Sequence, residues 1–324
     1  MLHEIKYYHR LYRIWRNFRR RRIHATAMPF RLWVELHGGC NLRCSFCPNK
    51  DLDDSLKGPM DWDVFRKVID EARGFIFDMT LNHRGESLLH PEAVDMIRYA
   101  AQRIRFTKLH TNGVLLNEEM SRGLVESGLK RLSFSFDGFV KADYEKNRVG
   151  ADFDEVVRNI RNLLLIRKKL GRRTPRVAIE VIEFNDSQMA REKQERFIRE
   201  FKELGLDELV VKKPHNWAGY LKTHYRRRRY APCTFLWSSM LILWNGDVSP
   251  CSQDFFARYV VGNVREKSMR EIWNDEPMQR LRKGLREKRY REFPACTDCD
   301  RLWRDTFLGI PREYLKQILT HRMP

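Results

Sequence analysis

The stretch ELHGGCNLRCSFCPNK, residues 35–50, decides the fold of this chain. Its three cysteines, Cys40, Cys44 and Cys47, have the spacing C-x3-C-x2-C in a glycine-containing loop directly after a predicted strand. Thiolates on one short loop can ligate a single cubane iron–sulfur cluster. Three thiolates leave one iron without a protein ligand, and an open metal position is typical of sites that perform chemistry. The segment therefore predicts a catalytic cluster, and the alternative is a structural zinc site that borrows a distant fourth ligand.

The composition is that of a globular protein with metal sites. The chain has 324 residues, of which 42% are hydrophobic, enough for one large domain or for a core domain with a smaller one. It has no run of 18 or more apolar residues and no secretory signal at the N-terminus, so we expect a cytoplasmic protein with reduced thiols. The odd count of seven cysteines favours metal binding over a disulfide framework.

Strand and helix patterns alternate from residue 30 onward. Strands are predicted at 30–36, 75–81, 105–110, 131–136, 176–182 and 208–213, and helices at 61–73, 91–103, 117–127, 152–169 and 187–204. Six such units are fewer than the eight of a closed barrel, so the fold class is α/β, a partial (β/α)6 TIM-like barrel. Ligands of such sheets lie beyond the C-terminal strand ends.

The predicted domain order follows from where this alternation starts and stops. A basic amphipathic helix occupies residues 1–27, outside the main domain, and the partial barrel occupies residues 28–220. A small metal-stapled domain with a hairpin at 241–251 and a helix near 268–283 occupies residues 221–310. A tail helix occupies residues 311–324.

The motif CNLRCSFC resembles the signature of radical S-adenosylmethionine (SAM) enzymes. The resemblance implies that the open iron of a [4Fe–4S] cluster chelates the amino and carboxylate groups of SAM. It also implies that the reduced cluster cleaves SAM to a 5′-deoxyadenosyl radical, which abstracts hydrogen from a substrate. The electron donor implied is of the flavodoxin or ferredoxin type.

Further motifs at successive predicted strand ends fit this resemblance. HRGES (83–87) is similar to the family's GGEP motif, although Arg84 and Ser87 depart from it, and the carboxylate of Glu86 suits the SAM ammonium. HTNG (110–113) and SFDG (135–138) resemble family positions near SAM, although Asn112 and Gly113 also suit a plain turn. The SAM-binding residues that the resemblance implies are Phe46, Glu86, Asn112, Ser135, Asp137 and Asn185.

The other four cysteines, Cys233, Cys251, Cys296 and Cys299, lie in a region that resembles the SPASM/twitch extension of radical SAM enzymes. The resemblance implies one auxiliary [4Fe–4S] cluster with full protein ligation, and a structural zinc site is the alternative. Three plus four ligands use every cysteine, so no thiol is left to return a hydrogen atom to a substrate radical. This favours a net two-electron oxidation with the auxiliary cluster as electron acceptor; the alternatives are a tyrosine that returns the hydrogen atom and an auxiliary cluster that is only structural. The architecture resembles that of the single-auxiliary-cluster aminocyclitol dehydrogenases.

Oxidation of an alcohol needs a base. Lys213 and His215 follow the sixth predicted strand, and a histidine titrates near neutrality. A surface-loop histidine is an equally good interpretation of His215. Arg84 is a candidate for holding an anionic substrate group, or it packs near SAM.

The net charge of +19 and two basic runs, at 16–24 and 225–230, favour anionic partners. The basic N-terminal helix suits an anionic membrane surface, which favours a peripheral position on the inner face of the membrane, or it packs on the barrel. We therefore expect a small-molecule substrate of carbohydrate type, phosphorylated or lipid-linked. The chain has no dedicated nucleic-acid module. The alternatives are a SPASM-type peptide maturase and a non-catalytic iron–sulfur or zinc protein that binds nucleic acid.

Overall fold

A computed structural model describes residues 2–182, 188–212, 214, 216–222, 230–304, 306–307 and 310–311. The chain divides into two compact units. One unit comprises Leu32–Pro214 with Ile242–Gly246, and the other comprises Met1–Arg31, His215–Leu241 and Asp247–Pro324. The domain boundaries expected at residues 27, 220 and 310 stay predictions, and the expected tail helix lies, beyond Pro311, outside the described residues.

The bounds of the regular elements are as follows. The helices are α1 (Leu2–Arg19), α2 (Trp62–Ala72), α3 (Ala93–Arg103), α4 (Glu118–Glu126), α5 (Lys141–Asn147), α6 (Phe153–Lys169), α7 (Gln188–Glu203), α8 (Phe235–Ser238), α9 (Met269–Trp273) and α10 (Glu276–Arg286). The strands are β1 (Arg31–Val34), β2 (Asp78–Thr80), β3 (Phe106–Thr111), β4 (Arg131–Ser135), β5 (Arg176–Ile182), β6 (Glu208–Lys212), β7 (Ser239–Ile242), β8 (Asp247–Ser249), β9 (Gly262–Asn263), β10 (Thr306–Phe307) and β11 (Ile310–Pro311).

The first six strands are ordered β6-β5-β4-β3-β2-β1, which is also their order along the chain. The pairs from β2 to β6 are all parallel. Right-handed crossovers between sequential parallel strands place every connecting helix on the same face of the sheet. The opposite face is then free of crossover helices, as in a barrel interior. The predicted α/β class with a parallel sheet is confirmed.

The two faces of this sheet differ in chemistry because strand side chains alternate with a period of two. One face carries fully buried apolar side chains such as Leu109, Leu132 and Ile179. The other face carries ionisable groups: His110, whose partner in the parallel register is Ser133, and Glu180, whose partner is Ser135. The apolar face is the one that the crossover helices cover, so the polar face is the inner one.

Local sequence signals explain the helix starts. The carboxylate of Asp61 accepts hydrogen bonds from the backbone N–H groups of Asp63 and Val64 and so caps the N-terminus of α2. Helix α5 was not predicted, because its seven residues carry little apolar periodicity. It is anchored by Tyr144, which is fully buried and lies 4.9 Å, ring to ring, from Phe136.

The second unit contains α1 together with the C-terminal elements. Ile14 and Phe18 of α1 are buried, and the Phe18 ring lies 5.6 Å from that of Trp237 in α8. The segment after α1 is also held, since the indole of Trp273 donates to the carbonyl of Ala27. The helix was expected outside the main domain, and its described contacts are with C-terminal residues of the second unit. Among the described helices, none is long and apolar enough to cross a membrane.

Candidate iron–sulfur and SAM site

A backbone hydrogen bond joins the loop of Cys40, Cys44 and Cys47 to the HRGES segment. The N–H of Glu86 donates to the carbonyl of Gly39 at 2.9 Å. A Cβ atom on Gly85 would lie 2.2 Å from that same carbonyl oxygen and 2.3 Å from that of His37. Only glycine permits this approach. Position 85 is therefore a glycine because two backbone segments are in contact there.

A buried ion pair anchors the same two segments. Arg84 donates through Nε and Nη2 to the two carboxylate oxygens of Glu35, at 2.8 and 2.7 Å, and both side chains are almost completely buried. The side chain of Asn49 bridges the carbonyls of Gly38 and Arg84, at 2.9 Å each. Arg84 was expected to hold an anionic substrate group or to pack near SAM. In the structure the Arg84 guanidinium pairs with Glu35 instead, so Arg84 holds two segments of the chain together.

Glu86 lies at the centre of a polar arrangement at the ends of the strands. Its carboxylate accepts from the Thr111 hydroxyl at 3.0 Å and from the Asn112 N–H at 2.8 Å. Burial raises the pKa of Glu86 above its ordinary value, and these hydrogen bonds oppose that shift. The amide of Asn112 reaches the side chain of Asn41 at 2.8 Å, beside Cys40. The structure therefore brings Glu86 and Asn112 together next to the cysteine loop.

The three thiols share one electrostatic environment. Burial is the main cause that raises the pKa of Cys40, to about 12, and that of Cys47, to about 11, and the neighbouring thiols add to the shift. Buried thiols close enough to affect each other suit a site in which iron replaces their protons. Within the described residues, no three His, Cys, Asp or Glu side chains are arranged to hold a metal ion. A cubane differs from a single ion in that each thiolate ligates its own iron.

The end of β4 is connected to this loop by a residue that sequence reasoning missed, Arg148. Its guanidinium pairs with the buried carboxylate of Asp137, donates to the sulfur of Cys44 at 3.8 Å and lies over the ring of Phe46 at 5.6 Å. Ser135 is partly exposed at the end of β4, on the polar face. The arginine follows SFDG by ten residues, and no motif pointed to it.

Three predicted site residues cannot be placed. Lys213, His215 and Asn185 lie outside the described residues, as does the basic run at 226–229. Their roles stay predictions.

The other four cysteines line one small cavity in the second unit. The remaining walls are mostly apolar and include Leu236, Leu281, Leu285 and Phe293. Burial raises the pKa of Cys299 to about 12, with Cys233 as the next cause, and it raises the pKa values of Cys251 and Cys296 well above the ordinary range. Four thiols around one apolar cavity form a donor set that fits a fully ligated cluster.

Comparison with known proteins agrees with both sites. Residues 34–169 match the radical SAM superfamily, and residues 233–300 match the SPASM domain, an iron–sulfur cluster-binding domain. This chain is a radical SAM protein with a SPASM domain. Its cofactors are accordingly SAM, the SAM-binding [4Fe–4S] cluster and an auxiliary [4Fe–4S] cluster.

This radical SAM protein is similar to two characterised proteins in sequence and to one solved structure in fold. The tungsten-containing aldehyde ferredoxin oxidoreductase cofactor-modifying protein of Pyrococcus furiosus is 26% identical over 83% of this chain and 86% of its own. The SAM-dependent 2-deoxy-scyllo-inosamine dehydrogenase of Niallia circulans is 21% identical over 82% and 91%. The crystal structure of BtrN in complex with AdoMet and 2-DOIA is 19% identical, covers 84% and 93%, and superposes with a TM-score of 0.57.

Proposed function

We propose that the chain uses SAM-derived radical chemistry to oxidise or remodel a hydrophilic, carbohydrate-type substrate. In this proposal Cys40, Cys44 and Cys47 hold the SAM-binding cluster, and the four cysteines of the second unit hold the auxiliary cluster. Glu86, Asn112, Ser135 and Asp137 surround SAM, with Phe46 beside its adenine. When bound, these cofactors supply a 5′-deoxyadenosyl radical that removes a hydrogen atom and an acceptor for the second electron.

The observation that carries the substrate class is the polar inner face of the sheet. His110 and Glu180 lie there with Lys212, and the Lys212 ammonium contacts the Glu180 carboxylate at 2.5 Å. Beside them Arg131 pairs with Glu208 at 2.8 Å. Side chains of this kind offer hydrogen bonds to hydroxyl and amino groups, which an apolar ligand cannot use. A relative that is named as a dehydrogenase of an aminocyclitol also supports this class.

A base for alcohol oxidation is available on that face. The Nδ1 of His110 lies 3.3 Å from the Glu180 carboxylate, so the other ring nitrogen is left to face a substrate. Burial alone would raise the pKa of Glu180, but His110 and Lys212 outweigh burial and hold it well below its usual range. In the neutral tautomer with its proton on Nδ1, the His110 ring is oriented by the charged Glu180, and its Nε2 is the atom that takes the hydroxyl proton. Lys213 and His215 are the other candidates for this base.

The proposed oxidation needs an acceptor for one electron after a hydrogen atom and a proton have left the substrate. The base would take the hydroxyl proton of the substrate, bound SAM would supply the radical that takes the hydrogen atom from the carbon, and the auxiliary cluster would supply the first acceptor for the remaining electron. An external acceptor of the ferredoxin or flavodoxin class then removes it. No cysteine remains for returning a hydrogen atom.

The test is 5′-deoxyadenosine formation by the anaerobically reconstituted, reduced protein with SAM and a polar metabolite extract or a lipid extract of the source cells. Stimulation by the polar extract, with loss of product but not of 5′-deoxyadenosine in His110→Gln, supports the proposal. Stimulation by lipid extract alone would support a lipid-linked substrate and give α1 a membrane role. Stimulation by neither would contradict the substrate class.

A second candidate is modification of an enzyme cofactor. It is favoured by the relative from Pyrococcus furiosus, which is similar over most of both chains and is named for that activity. Stimulation of 5′-deoxyadenosine formation by a cofactor extracted from a tungsten-containing oxidoreductase, and by no carbohydrate fraction, would favour this candidate.

A further inference from the structure

We propose that Arg148 is a positioning residue for the SAM-binding cluster: it fixes the Cys44–Phe46 part of the loop and raises the reduction potential of the cluster through Cys44. This inference rests on the proposed assignment of Cys44 as a cluster ligand, and it requires nothing of the proposed substrate.

The first observation is that Arg148 divides its hydrogen bonds between two partners of opposite kinds. One terminal nitrogen, Nη2, pairs with the carboxylate of Asp137, and the other, Nη1, points at the sulfur of Cys44 at 3.8 Å. Only 8% of Arg148 is exposed, and Asp137 and Cys44 are buried. A planar guanidinium has donors in a fixed fork, so holding one partner fixes the direction of the other donors.

The carboxylate that directs the fork is itself held in place. The second oxygen of Asp137 accepts from the N–H of Ile182 at 2.7 Å, and its carbonyl accepts from the side chain of Asn147 at 2.8 Å. Asp137 is thus connected both to the end of β5 and to the C-terminal end of α5. Asp137, held by the sheet, fixes the orientation of Arg148, and Arg148 in turn fixes the position of Cys44.

The backbone on both sides of Arg148 accepts hydrogen bonds from the same cysteine loop. The N–H of Arg43 donates to the carbonyl of Val149 at 2.9 Å, and the N–H of Ser45 donates to that of Asn147 at 3.0 Å. These two bonds flank Cys44, and the guanidinium lies over the ring of Phe46. The middle cysteine of the motif is therefore fixed by backbone and side chain of one three-residue segment.

A buried positive charge that donates to a ligating sulfur has a defined electronic effect. Hydrogen bonds to cluster sulfurs and a local positive charge stabilise the reduced, more negative cluster, so they raise its potential. The charge cannot leave by deprotonation, because arginine stays protonated in proteins. A role confined to folding would need the pair with Asp137 but no donor on the sulfur.

The experiment is a redox titration of the reconstituted full-length protein without SAM, followed by EPR, for wild type, Arg148→Met and Arg148→Lys. The signal of the SAM-binding cluster is the one that is absent from Cys40→Ala and changes when SAM is added afterwards. The matched control is Arg167→Met, because Arg167 is also a buried arginine paired with an aspartate, Asp207, and it contacts no cysteine.

The expected result is a more negative potential for Arg148→Met at unchanged iron content and a smaller shift for Arg148→Lys, which keeps the charge but loses the fork. Arg167→Met keeps the wild-type potential. If Arg148→Met does not retain iron, Arg148→Lys decides alone. A wild-type potential in the variant that loads iron, or an equal shift in Arg167→Met, overturns the proposal. A signal that persists in Cys40→Ala instead refutes the ligand assignment.

Discussion

The backbone N–H of Glu86 donates a 2.9 Å hydrogen bond to the carbonyl of Gly39, immediately before Cys40. This bond joins the segment that is expected to hold the SAM amino group to the loop that is expected to hold the cluster. These two segments, 47 positions apart in the chain, are thus connected through backbone atoms. Side-chain changes elsewhere leave such a connection intact, whereas a change that separates the two backbones breaks it.

Gly85→Ala separates them. Its new methyl group would lie 2.2 Å from the Gly39 carbonyl oxygen, and neither partner is a flexible side chain. We expect a loss of stability of roughly 1–3 kcal/mol from overpacking. We also expect SAM binding to weaken at least about tenfold, equivalent to about 1.4 kcal/mol. Equilibrium binding of SAM to the reconstituted protein measures this.

Gly171→Asn is the matched control for that glycine substitution. Gly171 has φ +61°, which asparagine tolerates, and a Cβ there meets nothing within 4 Å. The control should keep wild-type SAM affinity. Wild-type affinity in Gly85→Ala would show that the two backbones need not be in contact.

The second prediction concerns the contribution of the Glu35–Arg84 ion pair to the free energy of unfolding. Glu35→Gln leaves a buried guanidinium without its counter-charge, which costs about 3–5 kcal/mol of unfolding free energy. Arg66→Gln removes an ion pair whose side chains are 55% and 80% exposed, and it should cost at most about 1 kcal/mol. Urea unfolding of both variants gives the comparison. Equal midpoints for the two variants would contradict the framework role of Arg84.

Removal of two auxiliary ligands tests the division of the cysteines into two sets. The double variant Cys296→Ala, Cys299→Ala keeps two thiolates, one fewer than the SAM-binding loop has, so it should lose about four iron atoms per chain, the content of one cubane. The EPR change that SAM causes in the reduced protein should remain, because the three-cysteine loop is unaltered. Cys44→Ala should give the converse result. Loss of both clusters in either folded variant would contradict two independent sites.

Acid sensitivity is predicted at His83. Burial lowers its pKa from 6.5 to about 4, so the folded protein keeps this imidazole neutral where the unfolded chain protonates it. The stability that results is present above pH 6.5 and is lost as the pH falls towards 4, by roughly 2 kcal/mol at pH 5. His83→Gln removes this contribution. The difference in unfolding free energy between wild type and variant should therefore change between pH 7.5 and pH 5, and a constant difference would contradict the shift.

Much of the barrel was predictable from the sequence because its signals are local. The six predicted strands and five predicted helices agree with observed elements to within a few residues, because each helix has an apolar stripe and the short strand segments alternate regularly with the helices. The cysteine spacing and the strand-end motifs were also local, so Glu86 and Asn112 were already candidates before the structure placed them side by side.

What the sequence did not show depends on pairing between distant residues. The partner of Arg84 is Glu35, 49 positions away, and only the folded chain shows that this arginine is enclosed. Arg148 lacks a motif because the role proposed for it depends on Asp137 and Cys44, which the fold brings to it. His110 was noticed as part of HTNG, yet the proposal that it acts as a base depends on Glu180, two strands further along the sheet.

The most direct test of the central claim is 5′-deoxyadenosine formation from SAM by the anaerobically reconstituted protein under a low-potential reductant. Wild type should form it, and variants with alanine at Cys40, Cys44 or Cys47 should not, while Cys296→Ala should retain the uncoupled reaction. Absence of 5′-deoxyadenosine from wild-type protein whose three-cysteine cluster is loaded and reduced would contradict radical SAM chemistry in this chain.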